Sequence, residues 1–303
     1  MLTARTVSFP VRIDAAWGSL REREIVTVRL DFPDGTFGEG EAAPLEPYDG
    51  VSTAAVLAAL DAYGQINAPP ETLLDACRTE RDLPQALAAI DLALWDRQAR
   101  LNHTTIAHLI SPDALDAVPV NATIGAEDRA GAAEAAARAT RAGFTCVKVK
   151  VGIGDDAGRV AAVRAAAPGA LIRIDANGAW ATPREALANL RALAPIGIEL
   201  CEEPIHGAEH LARVTQESPI PIACDETFAP GAVDVVCLKI ARGGITATLE
   251  AAKQAEDVYL ASTYDGPLGM RAAVHTAAGL KLTRHCGLAT GGLAVRDGFM
   301  LLP

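Results

Sequence analysis

The stretch TCVKVKVGIGDDAGRVAAVRAAAPGALIRID, residues 145–175, decides the fold of this 303-residue chain. It opens on a short alternating strand and passes a glycine-rich turn. An alanine-rich run at helical spacing follows, breaks at Pro168-Gly169, and returns to a second apolar strand ending at Asp175. Strand, helix and strand at this spacing make a parallel βαβ unit. The rhythm extends in both directions. Strands are expected at 118–123, 145–150, 171–175, 198–202, 221–224, 234–240, 258–262 and about 285–289. Helices are expected at 126–142, 155–167, 183–193, 207–217, 244–256 and 268–281. Eight strands in this order predict an α/β fold, a (β/α)8-type barrel over residues 115–303. An open doubly wound sheet is the alternative.

One crossover breaks the pattern. Only the nine residues Glu226 to Asp234 separate the fifth strand from the sixth, and they include Pro230 and Gly231. A parallel crossover needs a dozen or more residues. The helix after strand five is therefore expected to be shortened or lost, leaving the outer face of strands five and six, around Val236, uncovered. A homo-oligomer contact or a rearranged neighbouring helix would cover it; Phe228 folded inward is the alternative. Before residue 115 the order differs, with strands at 4–13, 23–31 and 36–42 and a turn at Asp34-Gly35. Helices follow at 53–64, capped by Ser52, and at 84–101. Strands followed by helices predict a separate α+β domain over residues 1–114.

Half of the residues are hydrophobic, the net charge is -11 and the sequence pI is about 5.0. That balance speaks against nucleic acid or an anionic membrane surface as partner. No apolar run reaches the roughly 18–20 residues of a membrane helix. The first ten residues do not read as a signal peptide. The six cysteines form no C-x-x-C pair. They read as reduced thiols, and a cytoplasmic location is expected.

The chemistry is carried by charges at strand ends, where barrel active sites are built. Lys148 and Lys150 are two apart and share one face of their strand. Asp175, Glu202 and Asp225 end the next three strands and should meet at one rim; Glu203 and Glu226, adjacent to two of them, are the alternatives. Converging carboxylates repel one another unless a cation sits among them, and hard oxygen ligands suit Mg2+, with Mn2+ as a substitute. Lys239 ends the sixth strand, across the rim from the first two lysines. An ammonium beside another ammonium and a divalent cation should have a lowered pKa, as a general base requires.

Other motifs carry less. His206-Gly-Ala-Glu-His210 fits a zinc-protease pattern but directly follows Glu202-Glu-Pro at the rim, so it reads as an exposed helix start. Gly152-Ile-Gly154-Asp-Asp-Ala-Gly158 nearly fits a dinucleotide fingerprint, yet its aspartates would repel a pyrophosphate. Cys201 and Cys224 alternate away from their charged neighbours and read as packing. A metal-dependent hydrolase would need histidines on the strands, and none is there.

The segments Lys148-Val-Lys150-Val-Gly, Asp175-Ala-Asn-Gly-Ala-Trp, Cys201-Glu-Glu-Pro, Cys224-Asp-Glu-Thr and Leu238-Lys-Ile-Ala-Arg-Gly-Gly-Ile together resemble the enolase superfamily, and within it the muconate-lactonizing-enzyme subgroup. Gly38-Glu-Gly-Glu-Ala-Ala-Pro-Leu45 is similar to the capping domain of that family. The resemblance implies that Asp175, Glu202 and Asp225 bind Mg2+, that Lys150 and Lys239 are the acid/base pair, and that Lys148 polarises the site. It implies abstraction of a proton next to a carboxylate, with the metal holding the resulting enediolate. The substrate is then a small carboxylate. Its contacts are expected from the asparagine of the Asn121-Ala122 step, from Asn177 and from Ser262. The stretch Cys286-Gly-Leu-Ala-Thr290 resembles the o-succinylbenzoate synthases of menaquinone biosynthesis, which implies a lyase working by syn-dehydration. N-acyl amino acid racemisation, dipeptide epimerisation, muconate-type cycloisomerisation and a non-catalytic metal-binding barrel stay open. Dipeptide epimerases tend to carry an Asp-x-Asp pair for the substrate ammonium near the eighth strand, and residues 284–290 have none. The seventh-strand segment Ala261-Ser-Thr-Tyr-Asp-Gly-Pro-Leu-Gly269 departs from the serine-rich acidic segment frequent in relatives.

Overall fold

The computed structural model describes residues 1–15, 18–291 and 293–302, and the backbone alone for residues 12–15. The chain opens with strands β1 (Leu2–Ala15), β2 (Gly18–Asp31) and β3 (Phe37–Ala42), an antiparallel sheet in that order. The β1–β2 register slips between Pro10 and Ile13, where a proline cannot donate to the ladder. Helices α1 (Glu46–Asp49), α2 (Thr53–Tyr63), α3 (Pro70–Glu80), α4 (Pro84–Leu101) and α5 (Ile106–Ile110) follow. The Ser52 side chain accepts from the Ala55 amide at 3.2 Å, the cap expected for α2. Helix α4 lies directly on β3, which needs glycine there. A Cβ at Gly38 would stand 1.8 Å from the Ala93 carbonyl oxygen, and one at Gly40 2.0 Å from that of Ala89.

The second half runs β4 (Ala117–Pro119), β5 (Ala122–Ile124), α6 (Arg129–Arg141), β6 (Cys146–Lys150), α7 (Asp156–Ala166), β7 (Leu171–Asp175), α8 (Pro183–Leu193), β8 (Leu200–Glu202), α9 (Ala208–Glu217), β9 (Ile222–Cys224), β10 (Val235–Leu238), α10 (Gly244–Ala252), β11 (Val258–Leu260), α11 (Pro267–Gly279), β12 (Val295–Arg296) and β13 (Phe299–Leu301). Strands β5 to β11 form one seven-stranded parallel sheet in sequence order. The eighth strand shrinks to residues 286–287. Cys286 bridges Val120 and Gly287 bridges Ala261, both parallel, so these residues join the two edges of the curled sheet. The expected first strand is divided. Pro119, without an N–H, ends β4, which pairs antiparallel with β13 instead. The short α1, α3 and α5 and the β12–β13 hairpin were not anticipated from the sequence.

Among the described residues no helix lies between β9 and β10. The expected apolar gap is nevertheless absent. Val236 is 1% exposed, Ala229 is buried, and Ala232 and Val233 pack against the core from the connecting loop. The inward Phe228 is not found either, since that ring is 47% exposed. The small apolar side chains Ala229, Ala232 and Val233 close the wall from the connecting loop.

The N-terminal unit is tied to the barrel through buried polar groups. The Asp91 carboxylate of α4 accepts from the Thr246 amide at 3.0 Å, and the Trp95 indole donates to the Thr246 hydroxyl at 3.0 Å. Glu41, 2% exposed on β3, accepts from the amides of Gly266 (2.6 Å) and Leu268 (3.2 Å) at the start of α11. An anion at a helix N-terminus satisfies otherwise orphaned donors. No described helix is long and apolar enough to cross a membrane.

Candidate active site

Period-two alternation along β6 to β10 turns the charged residues inward, and parallel register lines them up. Lys150 is level with Asp175, and Asp175 with Glu202. The strand order then stands β7, β8 and β9, which lead to Asp175, Glu202 and Asp225, between the lysine strands β6 and β10. Asp175, Glu202 and Asp225 are 1%, 0% and 3% exposed.

The three carboxylates converge. The Lys148 ammonium lies 2.9 Å from Asp175 Oδ2 and 3.0 Å from Glu202 Oε1. Ligand atoms of Glu202, Asp225 and Cys237 all lie within 4.8 Å of one another. Lys150 Nζ is 2.7 Å from Asp175 Oδ2, and Lys239 Nζ is 2.6 Å from Asp225 Oδ2, so the two lysines reach the carboxylate row from opposite ends. Glu203 points elsewhere. Its carboxylate accepts from the amides of Asp225 (2.8 Å) and Thr227 (3.1 Å) and so holds the turn that carries Asp225.

Charge balance decides the protonation states. Burial would lower Lys148 and Lys239. Asp175 and Glu202 outweigh it for Lys148, and chiefly Asp225 for Lys239, so both ammoniums sit well above their ordinary range. In the arrangement without a cation, carboxylates rather than a second ammonium are the nearest charges to these two lysines. Asp175 and Asp225 are held below the usual carboxylate range: burial raises both, but Lys148 and Lys150 outweigh it for Asp175, Lys239 and Arg242 for Asp225. Burial, then the Asp175 charge, pushes Glu202 up to about 7, and burial with Asp225 pushes Glu226 up to about 8. Glu226 Oε2 is buried without a partner. Crowded, hard oxygen donors under mutual repulsion fit a divalent cation of the Mg2+ or Mn2+ type.

Above the carboxylates opens a cleft lined by Lys148, Lys150, Asp175, Asp225 and Lys239. Asn177 and Ser262 reach it as expected of substrate contacts, but both are engaged. Asn177, at φ 47°, accepts from Lys150 Nζ at 2.6 Å and donates to Glu226 at 2.9 Å. The Ser262 and Thr290 hydroxyls are 2.5 Å apart. The contact expected at position 122 is not there. Ala122 carries no polar group, Asn121 is 1% exposed and outside the lining, and Thr123 is the side chain of that strand in the cleft. His206 leans on Glu203 at 3.1 Å, while His210 turns to the His206 carbonyl, so the two histidines share no ligand point.

Contributors from the N-terminal unit escaped the sequence analysis. Leu45 and Tyr48 come from the N-terminal unit and cover the cleft. The Tyr48 hydroxyl accepts from Arg242 at 2.6 Å, and its ring stands 5.2 Å from the Lys239 ammonium. The only signal was that Leu45 ends the Gly38–Leu45 segment and Tyr48 closely follows it.

Known proteins match this arrangement along the whole chain. Residues 131–302 fit the enolase C-terminal domain-like family model, and residues 1–111 fit the mandelate racemase/muconate lactonizing enzyme N-terminal domain. The o-succinylbenzoate synthase of Mycobacterium ulcerans is 36% identical over 198 residues, 59% of each chain, and that of Mycobacterium tuberculosis 38% identical over 205 residues, 61% of each. The matched stretch thus spans about three fifths of these curated relatives. A dipeptide epimerase from Enterococcus faecalis, solved with Mg and the dipeptide L-Leu-L-Tyr, superposes with a TM-score of 0.90 at 26% identity, covering 100% of this chain and 96% of that one. The L-Ala-D/L-Glu epimerase of Bacillus subtilis superposes with 0.89 at 25% identity, covering 100% and 96%. With both halves matched and lysines and carboxylates facing one cleft, the chain belongs to the mandelate racemase/muconate lactonizing enzyme family of the enolase superfamily.

Proposed function

We propose that this enzyme removes the proton α to a carboxylate group, and that its reaction is the syn-dehydration yielding o-succinylbenzoate. The observation that carries the proton abstraction is the strand order, which sets Lys150 and Lys239 at opposite ends of one carboxylate row facing one cleft. The 36–38% identity to o-succinylbenzoate synthases favours the dehydration.

Asp175, Glu202 and Asp225 would hold Mg2+. Bound there, the cation supplies positive charge beside the substrate carboxylate, where a second negative charge develops, and shares the carboxylates that now pair with the lysines. Lys150, oriented by Asn177, takes the α proton and later returns it to the departing hydroxide, which makes the elimination syn. Lys239 keeps its ammonium across the cleft and neutralises charge on the substrate oxygens. Tyr48 and Leu45 exclude water from above.

N-acyl amino acid racemisation is the second reading, favoured by the same opposed lysines, each of which could serve one enantiomer. The test mixes protein and Mg2+ with the cyclohexadiene precursor of o-succinylbenzoate and follows absorbance. Aromatisation at enzymatic rates supports the dehydratase. No change, together with racemisation of an N-acyl amino acid, transfers the assignment to the second reading.

A further inference from the structure

Below the cleft the barrel interior is polar, where aliphatic packing is the rule. Arg173 is 0% exposed on β7, with Nε 2.7 Å from Glu199 Oε2. Its guanidinium carbon lies 4.8 Å from the centre of the Tyr259 ring. Tyr259, 0% exposed on β11, stands level with Cys237 and points inward, and its hydroxyl reaches Glu202 Oε2 at 2.6 Å.

Tyr259 and Glu202 sit on strands separated by two others, β9 and β10. The phenol therefore crosses the barrel interior to reach the carboxylate. Glu202 is itself 0% exposed, and among the described residues its other side-chain donor is Lys148, at 3.0 and 3.1 Å. That ammonium is shared with Asp175, at 2.9 Å, so alone it leaves the Glu202 carboxylate free to rotate about it. A second donor on a rigid aromatic ring, itself seated on a fixed guanidinium, removes that freedom.

We propose that Tyr259 is a positioning residue for Glu202, fixing the carboxylate in the orientation in which it joins Asp175 and Asp225 around a divalent cation. Arg173, pinned by Glu199, holds the ring in place. The proposal rests on the assignment of those three carboxylates as cation ligands. Donors of this kind orient metal ligands, and their loss typically weakens metal affinity by about 10- to 100-fold.

The experiment replaces one oxygen atom, Tyr259→Phe, and titrates wild type and variant with Mn2+, following free Mn2+ by electron paramagnetic resonance. The expected result is a dissociation constant at least about 10-fold higher in the variant. The Mg2+ concentration for half-maximal activity rises in parallel, with kcat at saturating Mg2+ within a few-fold of wild type. A merely structural role would lower the melting temperature and leave the dissociation constant alone. A constant within twofold of wild type overturns the proposal while sparing the cation site. Failure of the wild type itself to bind Mn2+ overturns both. If the variant does not fold, wild-type protein carrying 13C at tyrosine Cζ gives the answer, with the signal assigned by substituting Tyr48, Tyr63 and Tyr264 in turn. The Tyr259 signal must shift on Mg2+ addition, and a signal that stays put overturns the proposal.

Discussion

Replacing Lys150 with alanine should separate chemistry from folding. The ammonium pairs with Asp175 Oδ2 at 2.7 Å and with Asn177 Oδ1 at 2.6 Å. Its loss does not strand Asp175, because Lys148 remains 2.9 Å from the same oxygen and the Asn177 amide donates to Oδ1 at 3.0 Å. The folding cost is that of two charge-assisted hydrogen bonds, about 1.5–3 kcal/mol each at most. A general base contributes about 10²- to 10⁴-fold to rate, or roughly 3–5 kcal/mol of barrier. Turnover should therefore fall by at least about 100-fold, while the variant melts cooperatively within several degrees of wild type and still binds Mn2+. Exchange of the substrate α proton in deuterated water refines the assignment. A synthase that relies on Lys150 loses exchange in Lys150→Ala and keeps it in Lys239→Ala, whereas a racemase keeps exchange from one enantiomer in each variant. Wild-type turnover in Lys150→Ala would remove that residue as the base, and an unfolded variant would refute the claim that Lys148 suffices for Asp175.

Gly40→Val should cost at least about 1–3 kcal/mol by forcing α4 off β3, read as a lowered melting temperature; an unchanged one would contradict the close approach. Asp91→Ala leaves the half-buried Thr246 amide without its acceptor and should cost about 1–3 kcal/mol in denaturant unfolding. Burial and the neighbouring Asp265 raise Glu41 to about 7. The folded state thus binds the proton more tightly than the unfolded one, so this contribution to stability is full below the usual carboxylate range and is lost as pH rises to about 7. Glu41→Gln should flatten the fall in melting temperature across that window, and equal slopes would refute the assignment. Phe228→Ser should change stability by less than about 0.5 kcal/mol and leave the sedimentation coefficient unchanged, because the exposed ring plays no part in closing the wall.

The residues that carry charge at strand ends were legible without a structure. A strand alternates its faces with a period of two, so Lys148, Lys150, Asp175, Glu202, Asp225 and Lys239 had to share the inner face once their strands were recognised. The loss of a helix between Asp225 and Val235 followed from chain length alone. The charge inside Ile172-Arg173-Ile174 stood in the same strand as Asp175 but was not singled out. What it paired with was not visible.

Only the closed tertiary structure decided the contacts made across the barrel and between its halves. Tyr259 meets Glu202 across two intervening strands, and Tyr48 meets Arg242 across 194 residues of sequence. Such pairs depend on the curl of the sheet and the seating of the N-terminal unit, which no local period encodes. The protonation of Lys148 depended on the same geometry. In sequence the nearest charge to Lys148 is Lys150, but in space its ammonium touches Asp175 and Glu202, and Coulomb energy follows distance in space. The seal over the short crossover came from Ala229, Ala232 and Val233, whose small side chains carried no sign of that use until the loop was laid against the core. Local periodicity assigns a side chain to a face; which partner waits on that face is set by packing of segments far apart in the chain.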